Sequence, residues 1–206
     1  YYNNGSPTGI ENIFNNVFDS VNTTGTGALY GILSTTGSSH THNIFNNTIR
    51  NFTGGTGTVY GIHRTLASGS IYENSVYNLA GGGTIYGLSN GTGTNNIYRN
   101  NINNLSTSST ATTAGLVSGI YISGVTNHYV YNNFISDLKA PLAASTDAIR
   151  GINCTATTAS SNLGLYYNTI YLNATSSGAN FGTSGIYHTN STTSTTAQLD
   201  MRDNIV

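Results

Sequence analysis

Charge is nearly missing from this sequence. Only 6% of its 206 residues are Asp, Glu, Lys or Arg, against about a quarter in ordinary soluble domains. Net charge is −1, and Lys139 is the single lysine. Nucleic-acid binding needs clustered Lys or Arg to neutralise phosphates. The chain has no such cluster, so that class is excluded, and an anionic membrane surface is disfavoured for the same reason. No apolar run approaches the roughly 20 residues of a transmembrane helix, so no membrane insertion is expected. Tryptophan is absent, and there are only 2 prolines and 1 cysteine. Cys154 cannot form a disulfide within the chain. It follows the core position Ile152 by two residues, so we expect a buried, inert thiol rather than a nucleophile, which would want a base or cation beside it. No initiator Met or signal peptide opens the sequence. It starts and stops inside what read as repeats, so we expect one domain over 1–206, part of a longer polypeptide, and the missing signal says nothing about compartment.

Thr, Ser, Asn and Gly fill most of the chain, with 15 tyrosines among them. A disordered tract would have too few apolar residues to offset its conformational entropy. In this chain apolar residues recur in a fixed frame: IFNNVF (13–18), IFNNTI (44–49), IYENSV (71–76), IYRNNI (97–102), VYNNFI (130–135), LYYNTI (165–170) and MRDNIV (201–206). The recurring asparagines are Asn16, Asn47, Asn74, Asn100, Asn133, Asn168 and Asn204. A second marker, Gly followed by an aliphatic residue, alternates with the first: Gly31-Ile32, Gly61-Ile62, Gly87-Leu88, Gly119-Ile120, Gly151-Ile152 and Gly185-Ile186. A fixed core with variable loops at this period marks a solenoid.

The apolar segments are short and favour Ile, Val, Tyr and Phe, which suit a pleated surface. Helical stripes are absent. Three short strands per coil, stacked in register, make an all-β parallel β-helix of about six to seven coils, near 30 Å long at about 4.8 Å per coil. An apolar residue closes each coil at Val21, Phe52, Leu79, Leu105 and Leu138, with Asn173 as a departure. Ile44 and Ile49 are an odd number of residues apart, so both can face inward only if a corner at the asparagine resets the alternation. Asn tolerates the left-handed conformation that such a corner requires. Its amide both donates and accepts, so stacked copies form an internal ladder. The register of Tyr1–Gly9 stays open.

Two residues before each ladder Asn stands an aromatic: Phe14, Phe45, Tyr72, Tyr98, Tyr131 and Tyr166, then Arg202. This column should face outward. It either stacks between coils for structure alone or forms platforms for sugar rings or a partner surface. A shorter column, Tyr30, Tyr60 and Tyr86, gives way to Ser118, Arg150 and Ser184.

The frame resembles right-handed parallel β-helix proteins of the pectin-lyase-like superfamily. The run YYNTIYLNATSSGANFGTSGIYH (166–188) resembles repeats of large secreted surface proteins of Bacteroidota-type bacteria. That resemblance implies right-handedness, an extracellular or cell-surface location, and a long stalk ending in a sorting domain for type IX secretion; no such domain is visible in these residues. It also implies two functional alternatives. One is a structural or adhesive segment that contacts glycans or another surface and stacks end to end or onto adjoining domains. The other is a carbohydrate-binding or polysaccharide-cleaving module.

Hydrolase chemistry needs paired carboxylates about 5–10 Å apart. The acids are Glu11, Asp19, Glu73, Asp137, Asp147, Asp200 and Asp203, mostly in separate coils, with Glu73 expected to stand alone. One cluster, Asp137, Lys139, Asp147 and Arg150, could be catalytic or bind Ca²⁺, and reads more simply as a loop salt-bridge group. No catalytic set is expected beyond these candidates. His40, His42, His63, His128 and His188 read as surface residues. His40-x-His42 lacks a third ligand, and His42 and His128 lie three coils apart, so no metal and no cofactor are expected. Glycine-rich loops lack the Lys and helix of a phosphate-binding loop. Sequons at Asn22, Asn51, Asn90, Asn104, Asn153, Asn173 and Asn190 are as frequent as this composition makes by chance. Thr concentrates in loops of differing length, which disfavours a flat ice-binding array.

Overall fold

The computed structural model describes residues 1–3, 9–35, 41–124, 127–156, 161–189 and 198–206. Their strands form a right-handed parallel β-helix of three sheets. The first sheet stacks Tyr2–Asn3, Leu29–Ser34, Val59–Leu66, Ile85–Thr92, Val117–Ile122, Ile149–Cys154 and Thr183–His188. The second stacks Ile10–Phe14, Thr41–Phe45, Gly69–Tyr72, Asn95–Tyr98, Asn127–Tyr131, Asn162–Tyr166 and Gln198–Arg202. The third stacks Val17–Asp19, Thr48–Thr53, Ser75–Gly81, Asn101–Thr107, Phe134–Lys139 and Thr169–Tyr171. Every pairing is parallel, and each coil lies on its predecessor at the repeat register, for example Ile97↔Ile71 and Ile97↔Val130. Tyr2 and Asn3 pair with Leu33 and Ser34, which places those two residues in the first sheet.

One continuous core fills the interior, with Ile44, Ile49, Ile71, Val76, Ile97 and Ile102 fully buried. Phe52, Leu79, Leu105 and Leu138 close their coils inside it as expected. Val21 does not: it is exposed at 38%, because it lies in the outermost coil described.

The Gly-Ile marker has a packing cause. A methyl group on Gly87 would stand 2.6 Å from the carbonyl oxygen of Gly119 and 2.6 Å from Ile102 Cγ2. Gly31, Gly61, Gly119 and Gly151 meet the next coil's glycine carbonyl and a third-sheet Ile or Val in the same way. This column is where the first sheet presses against the third, and backbone on one side leaves nothing that can yield.

At the corner between the second and third sheets, the left-handed residue is not the ladder asparagine. It is the residue before: Asn15, Asn46, Glu73, Arg99, Asn132, Tyr167 and Asp203, with φ between 52° and 57°. That residue turns the chain and sends its own side chain outward. The next one, the ladder Asn, then points in.

Candidate functional site

The ladder amides bond in one direction. Asn47 Nδ2 donates to Asn74 Oδ1 at 3.0 Å, Asn74 to Asn100 at 3.0 Å, Asn100 to Asn133 at 2.9 Å and Asn133 to Asn168 at 2.9 Å. Asn16 and Asn204 extend the column at its two ends. Each Oδ1 also accepts the backbone N–H of the preceding ladder Asn, as Asn100 Oδ1 does from Asn74 at 3.1 Å. From Asn47 onward each Nδ2 also reaches the carbonyl of an aliphatic residue one coil back, as Asn100 does to Ile71. Asn47 through Asn168 are at most 2% exposed. Buried polar groups must be paired, and this corner pairs its own.

A second amide column, missed in the sequence, runs down the outside of the third sheet. Asn51 Nδ2 donates to Asp19 Oδ1, Asn78 to Asn51 and Asn104 to Asn78. Its direction is opposite to the inner one. A carboxylate, which only accepts, ends it at Asp19; an ammonium, which only donates, ends it at Lys139, bonded to Asn104 Oδ1 at 2.9 Å. The Asn51 amide, then Ser20 and Arg50, pull the Asp19 carboxyl down to about 2. Ser20, Asn51, Asn78, Asn104 and Asp137 are left-handed, with φ between 51° and 59°.

The four candidate catalytic residues separate. Asp137 and Lys139 pair at 2.8 Å on the exposed third sheet, where Lys139 also ends the outer ladder. Asp147 and Arg150 pair at 2.7 Å at the first sheet, nearly buried. Arg150 is held on several sides: it also donates to Asn153 and lies 3.3 Å over the Tyr187 ring, while Ser184 donates to Asp147. Most of the other acids are engaged as well, Asp203 being exposed without an ion pair among the described residues. Glu73, expected to be alone, pairs with Arg99 at 3.3 Å. Asp19 pairs with Arg50, and Asp200 with Arg202.

The histidines correct the sequence reading more strongly. His42 and His128 are buried, at 0% and 1% exposure, rather than on the surface. His63 is largely buried and bonds Ser89 at 2.9 Å; His40 lies outside the described residues. Inside the corner between the first and second sheets, Ser34 Oγ is 2.6 Å from His42 Nδ1, and Glu11 is 3.0 Å from His42 Nε2. The connectivity resembles a nucleophile, base and acid chain. Ser34, however, is fully buried, so no substrate carbonyl can approach its oxygen.

Below it lies Arg64, which the sequence reading overlooked. It is 1% exposed and donates to Asn90 Oδ1, the His42 carbonyl and Asn95 Oδ1 at 2.6–2.9 Å. Burial lowers its pKa to about 9, so it keeps its charge at neutral pH. The amides of Asn90 and Asn95 lie 3.2 and 3.5 Å from His128 Nδ1. An amide NH₂ only donates, so Nδ1 is the acceptor, and Nε2–H donates to the Gly124 carbonyl at 3.2 Å. Burial depresses the pKa values of His63 and His128 to about 4. The same cause pushes the Cys154 thiol, buried as expected, up to about 12. No group of three or more His, Cys, Asp or Glu among the described residues could hold a metal ion. Of the sequons, Asn90 and Asn153 are buried and could not carry a glycan in the folded chain.

The outward aromatic column is a true stack. Phe14–Phe45, Phe45–Tyr72, Tyr72–Tyr98 and Tyr98–Tyr131 have ring centroids 4.8–4.9 Å apart and planes within 4°. Tyr166, the next residue in register with Tyr131, leaves it. Its ring lies across Gly164, so that a methyl there would meet the phenol oxygen at 2.5 Å. Its hydroxyl donates to Asp200 at 3.2 Å. The Tyr30 column is broken: Tyr30 stacks on Tyr60, Tyr86 is tilted 41° from Tyr60, and Tyr121 replaces the missing aromatic at Ser118 by stacking on Tyr86 at 4.6 Å.

Comparison with protein-family models, curated proteins and solved structures finds no match to this chain. What the fold and its columns define is a class of protein: a parallel β-helix with an internal asparagine ladder.

Proposed function

We propose that this chain is a structural or adhesive segment of an extracellular, surface-displayed β-solenoid of the pectin-lyase-like kind. The observation that carries this is the buried amide column from Asn47 to Asn168, in which every coil is hydrogen-bonded to the next through side chains as well as strands. Such a molecule is a stiff spacer. Six of its seven acids engage basic partners instead of standing open to solvent in pairs, which leaves the rod's sides chemically quiet. The repeat frame's resemblance to secreted surface proteins supports the location. Antibody against the chain should label intact cells of the source organism, and the purified chain should resist proteinase K. Labelling only after permeabilisation would overturn the surface reading; rapid digestion would overturn the rod.

A further inference from the structure

Toward the C-terminal coils the aromatic stack ends on a bare ring face, that of Tyr131. Rings follow each other every 4.8–4.9 Å from Phe14 to Tyr131, and then the next ring is folded away. The cause is local. The outward position two residues before the stack holds Asn96, Tyr129, Gly164 and Asp200 in successive coils. Only Gly164 lacks a side chain there, so Tyr166 drops into its place and uncovers Tyr131. The result is a cleft of about 310 Å³ lined by Asn96, Tyr129, Tyr131, Asn132, Tyr166 and Tyr167. That is at the lower end of the roughly 300–1,000 Å³ of small-ligand sites.

We propose that this cleft binds a neutral, flat pyranose ring of a glycan, stacked on Tyr131 in the place the missing aromatic would occupy. Three features of the cleft select that ligand. Its platform is an aromatic face, which favours the apolar C–H face of a sugar whose hydroxyls are all equatorial. Its lining carries no charge, which favours a neutral ligand over an anionic one. The side-chain amides of Asn96 and Asn132 and the hydroxyls of Tyr129, Tyr131 and Tyr167 make no hydrogen bond with any described residue. They are therefore available to the equatorial hydroxyls, whereas a flat aromatic side chain would make no use of them. This goes beyond the rod reading, and the two fail separately: a protease-resistant surface rod without sugar affinity would leave the first standing.

The test is calorimetric titration of the 206-residue chain with cellohexaose, a neutral β-1,4-glucan with equatorial hydroxyls, beside a hexasaccharide of axial-hydroxyl sugars and a tyrosine-rich peptide. Cellohexaose should bind, and best of the three. Gly164→Ala should weaken it at least about 10-fold. The added methyl displaces only the far end of the Tyr166 side chain, so the ring returns upright onto Tyr131 and closes the cleft while the fold persists. Tyr131→Ala should weaken binding comparably by removing the platform, and both variants should keep the wild-type circular dichroism. Absence of cellohexaose binding up to roughly 10 mM, binding unchanged in both variants, or binding of the peptide in preference to the sugar would each overturn the proposal.

Discussion

The inner amide column, Asn47 to Asn168, and the outer one, Asn51 to Asn104, use the same side chain at the same coil spacing, yet they are different devices. The inner oxygens each accept two N–H donors, one from a backbone that has no other partner. The outer ones accept one side-chain donor each, in reach of water. The inner column donates toward the C-terminal coils and the outer column toward the N-terminal ones. The lesson is that a repeated amide stabilises in proportion to the burial of what it satisfies: water can replace the outer bonds and cannot reach the inner ones.

Substitution at the inner column should have the largest effect. Asn100→Ala strands the Asn74 backbone N–H. It also removes three further bonds: Asn74 Nδ2 to Asn100 Oδ1, Asn100 Nδ2 to the Ile71 carbonyl and Asn100 Nδ2 to Asn133 Oδ1. The Asn74 amide keeps the Ile44 and Tyr72 carbonyls. At about 1–3 kcal/mol for the one buried orphan and about 1 kcal/mol for each further bond, the loss should be about 3–5 kcal/mol in urea unfolding. Acid should have the next largest effect, through His128 in the opposite corner and His63, which packs against Tyr60 on the outer side of the first sheet. His63 and His128 have folded pKa values near 4 against an ordinary 6.5. The unfolded chain therefore takes up protons first, and stability present above pH 6.5 is lost as pH falls toward 4. For His128, the more deeply buried, the ceiling is about 3 kcal/mol. Unfolding midpoints measured between pH 7 and 4.5 should fall, and His128→Asn should flatten that slope. Asn78→Ala, on the outer column, should cost under about 1 kcal/mol. A loss as large as that of Asn100→Ala would erase the distinction between the two columns.

Much of this was legible because the fold is periodic. The Asn frame located every coil, and the aromatic column stacked where the alternation placed it. The left-handed corner residue was not legible. In Asn15-Asn16, Asn46-Asn47 and Asn132-Asn133 both residues are Asn, so the pattern could not say which one turned. In the other coils the turning residue is Glu73, Arg99, Tyr167 or Asp203, of which the first three carry no propensity for that conformation. The interior polar corner was legible and was overridden by composition. His42 and His128 stand two residues before the inward Ile44 and Val130, and Arg64 two after Ile62, so strand alternation alone turns all three inward. The outer ladder was equally visible in Asn51, Asn78 and Asn104, which keep the spacing of the inner one. The break at Tyr166 was not, because a glycine in a glycine-rich chain carries no signal until its neighbours are known.

Hydrogen exchange of the asparagine side-chain amides, followed by NMR, tests the central claim most directly. The Nδ2 protons of Asn47, Asn74, Asn100 and Asn133 should exchange only on unfolding, together with the backbone amides of the same residues. Those of Asn51, Asn78 and Asn104 should exchange orders of magnitude faster. Rapid exchange at the inner four would mean that water reaches the corner and that no buried amide column binds one coil to the next.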